Sequence, residues 1–194
     1  MANLGAAPAG YGLGEVAPSG LIQTTAALDA AKATGWYRFY GYESGSYCNI
    51  GGYLSGLIEV KGSRTATDGI RQYFYPDGCN AYLVRMMAGG AWSKWEWVNP
   101  PMVTGQEYRT TERFDGKPVY TKLYNLGVVS TTEKTVSHGL GSNCFIIKYI
   151  GSMDRMPLPI NWSSSYQASI AVSGDEIKTT LSSTYAGQKR TIKA

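Results

Sequence analysis

Hydrophobic and polar side chains alternate along many short stretches of the chain, as expected for β-strands with one buried face. In Leu57–Lys61, Ile58 and Val60 share one face, whereas Glu59 and Lys61 share the other. The stretches with strand character are Trp36–Tyr40, Leu57–Lys61, Arg71–Tyr75, Asn80–Met87, Trp92–Val98, Val119–Leu126, Lys134–Ser137, Cys144–Ile150, Gln167–Val172, Glu176–Leu181 and Lys189–Lys193. These stretches predict a mainly β protein, and the turn signal Pro76-Asp77-Gly78 predicts a hairpin.

One window has the signature of a helix. Thr24 or Thr25 can cap its start, alanines favour the helical backbone, and Gly35 stands where a helix commonly ends. The pattern therefore predicts one short helix over Thr24–Thr34.

Glycine and proline divide the chain into segments. They interrupt residues 1–20 every few positions, which indicates an extended lead-in, and Asn99-Pro100-Pro101 opposes both helix and central strand. We expect a β domain with the short helix over 21–99, a linker over 100–105, and a second domain over 106–194. The strand spacing of the second domain predicts an antiparallel β-sandwich.

Composition supports this fold class and excludes several functions. Charged residues make up 16% of the chain, with 24 glycines and 15 tyrosines, which suits strands and turns. No apolar stretch approaches the ~18 residues of a membrane span. The net charge of +4 is spread over scattered lysines and arginines, so neither nucleic-acid binding nor membrane insertion is indicated.

The cysteines and the N-terminus indicate synthesis in a reducing compartment. Cys48, Cys79 and Cys144 are odd in number and widely spaced, so reduced, buried thiols are expected. Residues 1–14 carry no Lys or Arg and no apolar core of a signal peptide.

Few residues could support catalysis. His138 is the only histidine, which rules out a multi-histidine metal site, and its glycine-flanked turn favours a structural role. No phosphate-binding or dinucleotide-binding motif occurs. Carboxylates such as Glu112, Asp115 and Asp175 could pair in space, but turn formation explains them more simply. We therefore expect no enzyme activity, no metal and no cofactor.

The sequence offers more candidate residues for ligand binding than for catalysis. Its aromatic side chains are such candidates, because flat aromatic rings stack on the apolar faces of sugars. Period-two alternation separates Trp92 from Trp95 and Trp97, and we assign the latter two to the core and Trp92 to the surface. Residues 151–166 are expected to form a long irregular loop, a common carrier of recognition residues. The candidate receptor- or glycan-binding residues are Asn161, Trp162 and Tyr166, with Asp154 and Arg155 as polar partners, and Trp92.

Several of these segments resemble terminal parts of bacteriophage tail fibres. Leu4–Gly14 resembles the linker before terminal domains. Residues 21–98 resemble the small knob domain of phage and pyocin fibres in the Ala-rich helix, in Gly35-Trp36-Tyr37 and in Trp92-Ser93-Lys94-Trp95. Residues 107–194 resemble a tail-fibre C-terminal β domain in the string Thr111–Lys122 and in the turn Val136–Leu140.

This resemblance implies a non-enzymatic virion component at the end of a tail, assembled in the host cytoplasm. It implies a homotrimer that contacts other tail proteins and holds a bacterial surface polysaccharide or another receptor. Met1 directly before the linker fits either a short separate gene or a fragment of a longer fibre. The alternatives are a carbohydrate-binding module of a secreted bacterial protein, a glycan depolymerase and a purely structural tail component.

Overall fold

The computed structural model describes residues 21–43, 46–62, 65, 67–128, 133–140, 145–153, 156–158, 160–163, 166–181 and 189–193. The described chain is mainly β with one short helix, as the alternation predicted. Within these ranges, none of the helical structure has the length and apolarity needed to cross a membrane.

Eighteen strands and one helix are numbered in chain order. The first set is β1 (Leu21–Ile22), α1 (Thr25–Ala30), β2 (Gly35–Tyr40), β3 (Tyr42–Glu43), β4 (Ser46–Tyr47), β5 (Ser55–Lys61), β6 (Arg71–Pro76), β7 (Tyr82–Ala88), β8 (Ala91–Trp92), β9 (Glu96–Val98) and β10 (Glu107–Phe114). The second set is β11 (Lys117–Val128), β12 (Lys134–Ser137), β13 (Ile150–Met153), β14 (Met156–Leu158), β15 (Ile160–Ser163), β16 (Tyr166–Ser173), β17 (Glu176–Leu181) and β18 (Lys189–Lys193).

The chain forms two compact units. Unit 1 contains Met1–Pro101 and Arg109–Val119, and unit 2 contains Met102–Tyr108 and Tyr120–Ala194. In unit 1 the strands lie in the order β1-β2-β5-β6-β7-β9-β10, with β8 added to β7 and with β3 and β4 forming a separate pair. The sheet is mixed, because β1 pairs parallel with β2 and β10 pairs parallel with β9. The predicted hairpin at Asp77-Gly78 is present between β6 and β7.

Alternation along these strands builds the core of unit 1. Phe39, Ile58, Phe74 and Leu83 are almost fully buried, and the Phe39 and Phe74 rings meet edge to face at 5.1 Å. Gly56 allows the close approach of β5 and β6, since a Cβ there would lie 2.3 Å from the carbonyl oxygen of Tyr75. The inner face of the sheet is thus closely packed, and the opposite side chains form its outer face.

The helix is shorter than its sequence pattern predicted. Thr24 caps it as expected, and its hydroxyl accepts a hydrogen bond from the Ala27 N–H at 3.1 Å. It ends at Ala30, and Gly35 is the first residue of β2 instead of a helix C-terminal residue. The amide of Gln72 donates to the carbonyls of Leu28 and Ala31, so a tertiary contact caps the last turn early.

Unit 2 contains two strand arrangements. Strands β11-β18-β13-β14 form one, and strands β12-β17-β16-β15 form a four-stranded antiparallel sheet. Tyr124 and Leu126 on β11 and Ile170 and Ile177 on the four-stranded sheet are buried.

Two sequence predictions for unit 2 were wrong. The expected irregular loop over 151–166 instead contains β14 and β15, which pair with β13 and β16 respectively. Pro157, which suggested a loop, is tolerated because β14 is an edge strand. Conversely, residues 145–149 of the expected strand Cys144–Ile150 lie outside any strand, and Phe145 is 77% exposed. Strand-forming residues become a strand only where a neighbouring strand pairs with them.

Candidate functional site

The outer face of the unit 1 sheet carries a row of aromatic rings. Trp36 on β2, Tyr73 and Tyr75 on β6, and Tyr82 on β7 are half-buried. Their centroids are 5.7 Å apart for Trp36 and Tyr75, 5.4 Å for Tyr75 and Tyr82, and 6.4 Å for Tyr73 and Tyr82. We call these four side chains the aromatic face.

A carboxylate and an ammonium group lie among the rings. In the strand register Glu59 lies between Trp36 and Tyr73. Its Oε2 accepts a hydrogen bond from the Tyr75 hydroxyl at 3.1 Å, and its Oε1 lies 3.4 Å from Lys61 Nζ. The same ammonium group lies 4.7 Å from the centre of the Tyr73 ring, within cation–π distance.

A second ion pair borders the face. Arg38 Nη1 and Nη2 donate to Asp77 Oδ1 and Oδ2 at 3.1 and 2.6 Å, and both side chains are nearly half exposed. The guanidinium group of Arg38 lowers the pKa of Asp77 through this hydrogen bond. The pair is fixed by two parallel bonds, which orients its remaining polar atoms.

This arrangement suits a ligand with an apolar surface edged by hydroxyl groups. Ring faces offer area for stacking, and fixed carboxylate, phenol and guanidinium groups offer hydrogen bonds at the edges. Pyranose sugars have this combination of surfaces, whereas a purely apolar ligand would leave the polar groups unpaired.

The Tyr75–Glu59 contact predicts a change of stability at high pH. Burial, with a smaller effect of Glu59, raises the pKa of Tyr75 to about 12, above the ~10 of an unfolded tyrosine. The stability contributed by the protonated phenol is therefore complete below pH ~10 and is lost as the pH rises through the folded-state pKa. We expect the unfolding free energy of wild type to fall more steeply above pH ~10 than that of Tyr75→Phe. Parallel pH profiles from denaturant unfolding would contradict this assignment.

Trp92, a predicted binding residue, lies on β8 in unit 1 and takes part in a different cluster. Its indole N–H donates to the Asp29 carbonyl at 3.1 Å, and the Arg85 guanidinium lies 4.4 Å from its ring centre. The same guanidinium group lies 4.7 Å from the centre of the Trp95 ring. Trp97 is buried, as predicted, whereas Trp95 is half-buried. Trp92 therefore has structural contacts, and its proposed role in binding stays a prediction.

The other predicted binding residues belong to unit 2. Asn161 and Trp162 lie on β15, and Tyr166 begins β16, the strand that pairs with it. Asp154 and Arg155 lie outside the described residues. Their role in binding stays a prediction.

His138 has the structural surroundings of a turn residue. It is 1% exposed, its Nδ1 accepts from the Leu140 N–H at 3.2 Å, and its Nε2 lies 3.0 Å from the Gly174 carbonyl. Ser137 donates to Asp175 at 2.7 Å instead of to the imidazole, so these residues do not form a nucleophile–base pair. Among the side chains that the structure describes, no cluster of metal-ligating residues occurs, and Cys48 and Cys79 are free thiols.

Sequence reasoning missed the aromatic face. The signal was present, because period two places Tyr73 and Tyr75 on one face of β6 and Glu59 and Lys61 on one face of β5. The register between the strands, which brings Trp36 on β2 and Tyr82 on β7 into contact with the Tyr75 ring, is a tertiary property.

Comparisons with known proteins give limited similarity. No family model matches the chain, and no curated protein matches it. An N-truncated R2-type pyocin tail fibre is similar at 8% identity and a TM-score of 0.31, covering 93% of this chain and 99% of that one. A C-terminal part of the R2 pyocin fibre of P. aeruginosa is similar at 7% identity and a TM-score of 0.31, covering 90% and 64%. A C-terminal part of the R1 fibre gives 10% identity and a TM-score of 0.28, covering 83% and 62%. TM-scores this low support no argument about function, so the function has to be inferred from the residues of this chain.

Proposed function

We propose that this chain is a receptor-binding component of a phage or pyocin-type tail fibre that attaches to bacterial surface glycan without catalysis. The observation that carries the proposal is the aromatic face, which joins stacking rings to fixed hydrogen-bonding groups. The sequence resemblance of residues 21–98 and 107–194 to tail-fibre domains supports the same function.

In this proposal the protein is part of the virion tail and contacts other tail proteins. A homotrimer would present three copies of each weak site, and linked sites gain roughly 10²–10⁴ in avidity. Asn161, Trp162 and Tyr166, with Asp154 and Arg155, would supply a second set of contacts from unit 2.

Cell binding tests the function directly. Fluorescently labelled wild type should bind a subset of strains in a bacterial panel, and purified surface polysaccharide from those strains should compete. Trp36→Ala and Tyr82→Ala should each weaken binding by about tenfold, since loss of one stacked ring costs ~1–2 kcal/mol and 1.4 kcal/mol is tenfold.

The matched control is Tyr42→Ala, because Tyr42 is 56% exposed and lies on β3, outside the sheet. It should bind as wild type does, and circular dichroism should show that all three variants are folded. Absence of binding to any strain, or equal losses for Tyr42→Ala and Tyr82→Ala, would contradict the proposal.

A carbohydrate-binding module of a secreted protein is the second candidate. It is favoured by one observation, that the whole aromatic face lies within unit 1. Light scattering separates the two candidates: a mass of three chains favours the fibre component, and a 21.0 kDa monomer favours the module.

A further inference from the structure

We propose that the aromatic face selects an uncharged saccharide chain and that Glu59 determines this selectivity. The inference rests on the proposed glycan binding and adds the chemical class of the ligand. It follows from where the charges lie relative to the rings.

The carboxylate of Glu59 is the central charge of the face. It lies between Trp36 and Tyr73 in the strand register, and its side chain is only 18% exposed. Tyr75 and Lys61 occupy part of its acceptor capacity, at 3.1 and 3.4 Å. A carboxylate has about four lone-pair sites, so it can also accept hydrogen bonds from ligand hydroxyl groups.

The cations lie at the edges, where they are more exposed. The Lys61 side chain is 57% exposed and contacts Glu59, and that of Arg38 is 43% exposed and is held by Asp77. Arg71, which pairs with Lys61 in the register, adds a third exposed cation at the same edge. A sugar over the rings therefore lies next to the carboxylate of Glu59, and two of the three cations, Lys61 and Arg38, are paired.

This distribution discriminates against carboxylated sugars. A uronic acid stacked over Tyr73 or Tyr75 would place its carboxylate near that of Glu59, in surroundings less screened than bulk water. To gain Lys61 as a partner, it would have to share that ammonium group with Glu59. A neutral hexose has hydroxyl donors instead, and charge-assisted bonds to Glu59 are stronger than bonds between neutral groups.

The row of rings indicates a chain rather than a single sugar. Trp36, Tyr75 and Tyr82 follow one another in contact, and successive planes are tilted by 33° and 30°. Rings tilted in this way present surfaces at different angles to successive sugars of one chain.

Two matched probes test the inference: a β-1,4-linked glucose hexamer, and the same hexamer oxidised at every C6 to the uronic acid. Each is titrated into the full chain, and the indole N–H resonance of Trp36, assigned with Trp36→Phe, is followed by NMR. We expect the neutral hexamer to shift this resonance and to bind at least about tenfold more tightly than the acid.

Glu59→Gln keeps the shape of the side chain and removes its charge. We expect it to bind the neutral hexamer more weakly and the acid more tightly, so that the preference falls to about twofold or less. The control Glu112→Gln, which removes an exposed charge on β10, should keep the wild-type preference.

Three outcomes would overturn the inference. The first is that neither hexamer shifts the Trp36 resonance, and the second is that Glu59→Gln keeps the wild-type preference. The third is a Trp36 resonance that responds to protein concentration alone, which would mean that a second copy of the chain covers the aromatic face. Binding to bacterial cells is independent of these results. Cell binding without hexamer binding would reject only the ligand class, whereas hexamer binding without cell binding would reject the fibre function.

Discussion

Replacing Arg85 with alanine should destabilise unit 1 by ~2–4 kcal/mol, because it removes a buried side chain together with its hydrogen bond and its contacts with two indole rings. Arg85 is 7% exposed, and its Nε donates to Gln72 Oε1 at 2.9 Å. Its Nη2 lies 2.7 Å from Asp29 Oδ1, in an ion pair whose carboxylate is nearly half exposed. Burial lowers the pKa of Arg85, because its surroundings are poorly hydrated.

Arg85→Ala would also remove contacts other than the ion pair. Arg85 lies between the rings of Trp92 and Trp95, so Arg85→Ala leaves a cavity between two indoles. It also leaves the side-chain oxygen of Gln72, whose amide nitrogen caps α1, without its hydrogen-bond donor.

Urea unfolding followed by tryptophan fluorescence measures the effect. Trp36, Trp92, Trp95 and Trp97 all lie in unit 1, so the signal reports mainly on that unit. The matched control is Arg38→Ala, which removes an exposed ion pair and should cost less than ~1 kcal/mol. Similar losses in the two variants would show that the Arg85 cluster does not stabilise the unit.

Glu96→Gln should destabilise unit 1 by ~3 kcal/mol, because a buried carboxylate holds two arginines. Glu96 is 7% exposed, and its Oε1 accepts from Arg109 Nε at 2.9 Å. Arg113 Nη2 donates to both of its carboxylate oxygens at 2.8 Å. An amide of the same size cannot balance two guanidinium charges.

The same unfolding measurement applies, and the exposed Glu112→Gln is the control, with an expected change within ~0.5 kcal/mol. Arg113→Ala should be milder than Glu96→Gln, since Arg109 still pairs with the carboxylate. A Glu96→Gln protein as stable as wild type would contradict the structural role of this cluster.

The strands of unit 1 were largely predictable, because their alternation is local. Ile58 and Val60 alternate with Glu59 and Lys61 in the sequence, and the structure buries the first two as expected. The end of α1 was not predictable, since Gln72, more than 40 residues away along the chain, caps it. The strand predicted over residues 145–149 does not form for a related reason. Strand formation depends on a neighbouring strand with which the residues can pair.

The candidate site shows the same limit. The sequence identifies aromatic residues that stack, but it does not identify which rings adjoin. Trp92 was predicted as a surface residue because alternation separated it from Trp97, and the structure makes it half-buried with Arg85 as a stacking partner. Trp36 and Tyr75, which were not predicted as binding residues, meet across β2, β5 and β6.

The most direct test of glycan binding by the aromatic face is oxidative footprinting of wild type on bacterial cells. Hydroxyl radicals label exposed rings, and mass spectrometry compares labelling of free and cell-bound protein at each residue. We expect cell binding to protect Trp36, Tyr73, Tyr75 and Tyr82, while the exposed Tyr42 keeps its labelling. Equal labelling of the four rings in the free and bound states would contradict binding through this face.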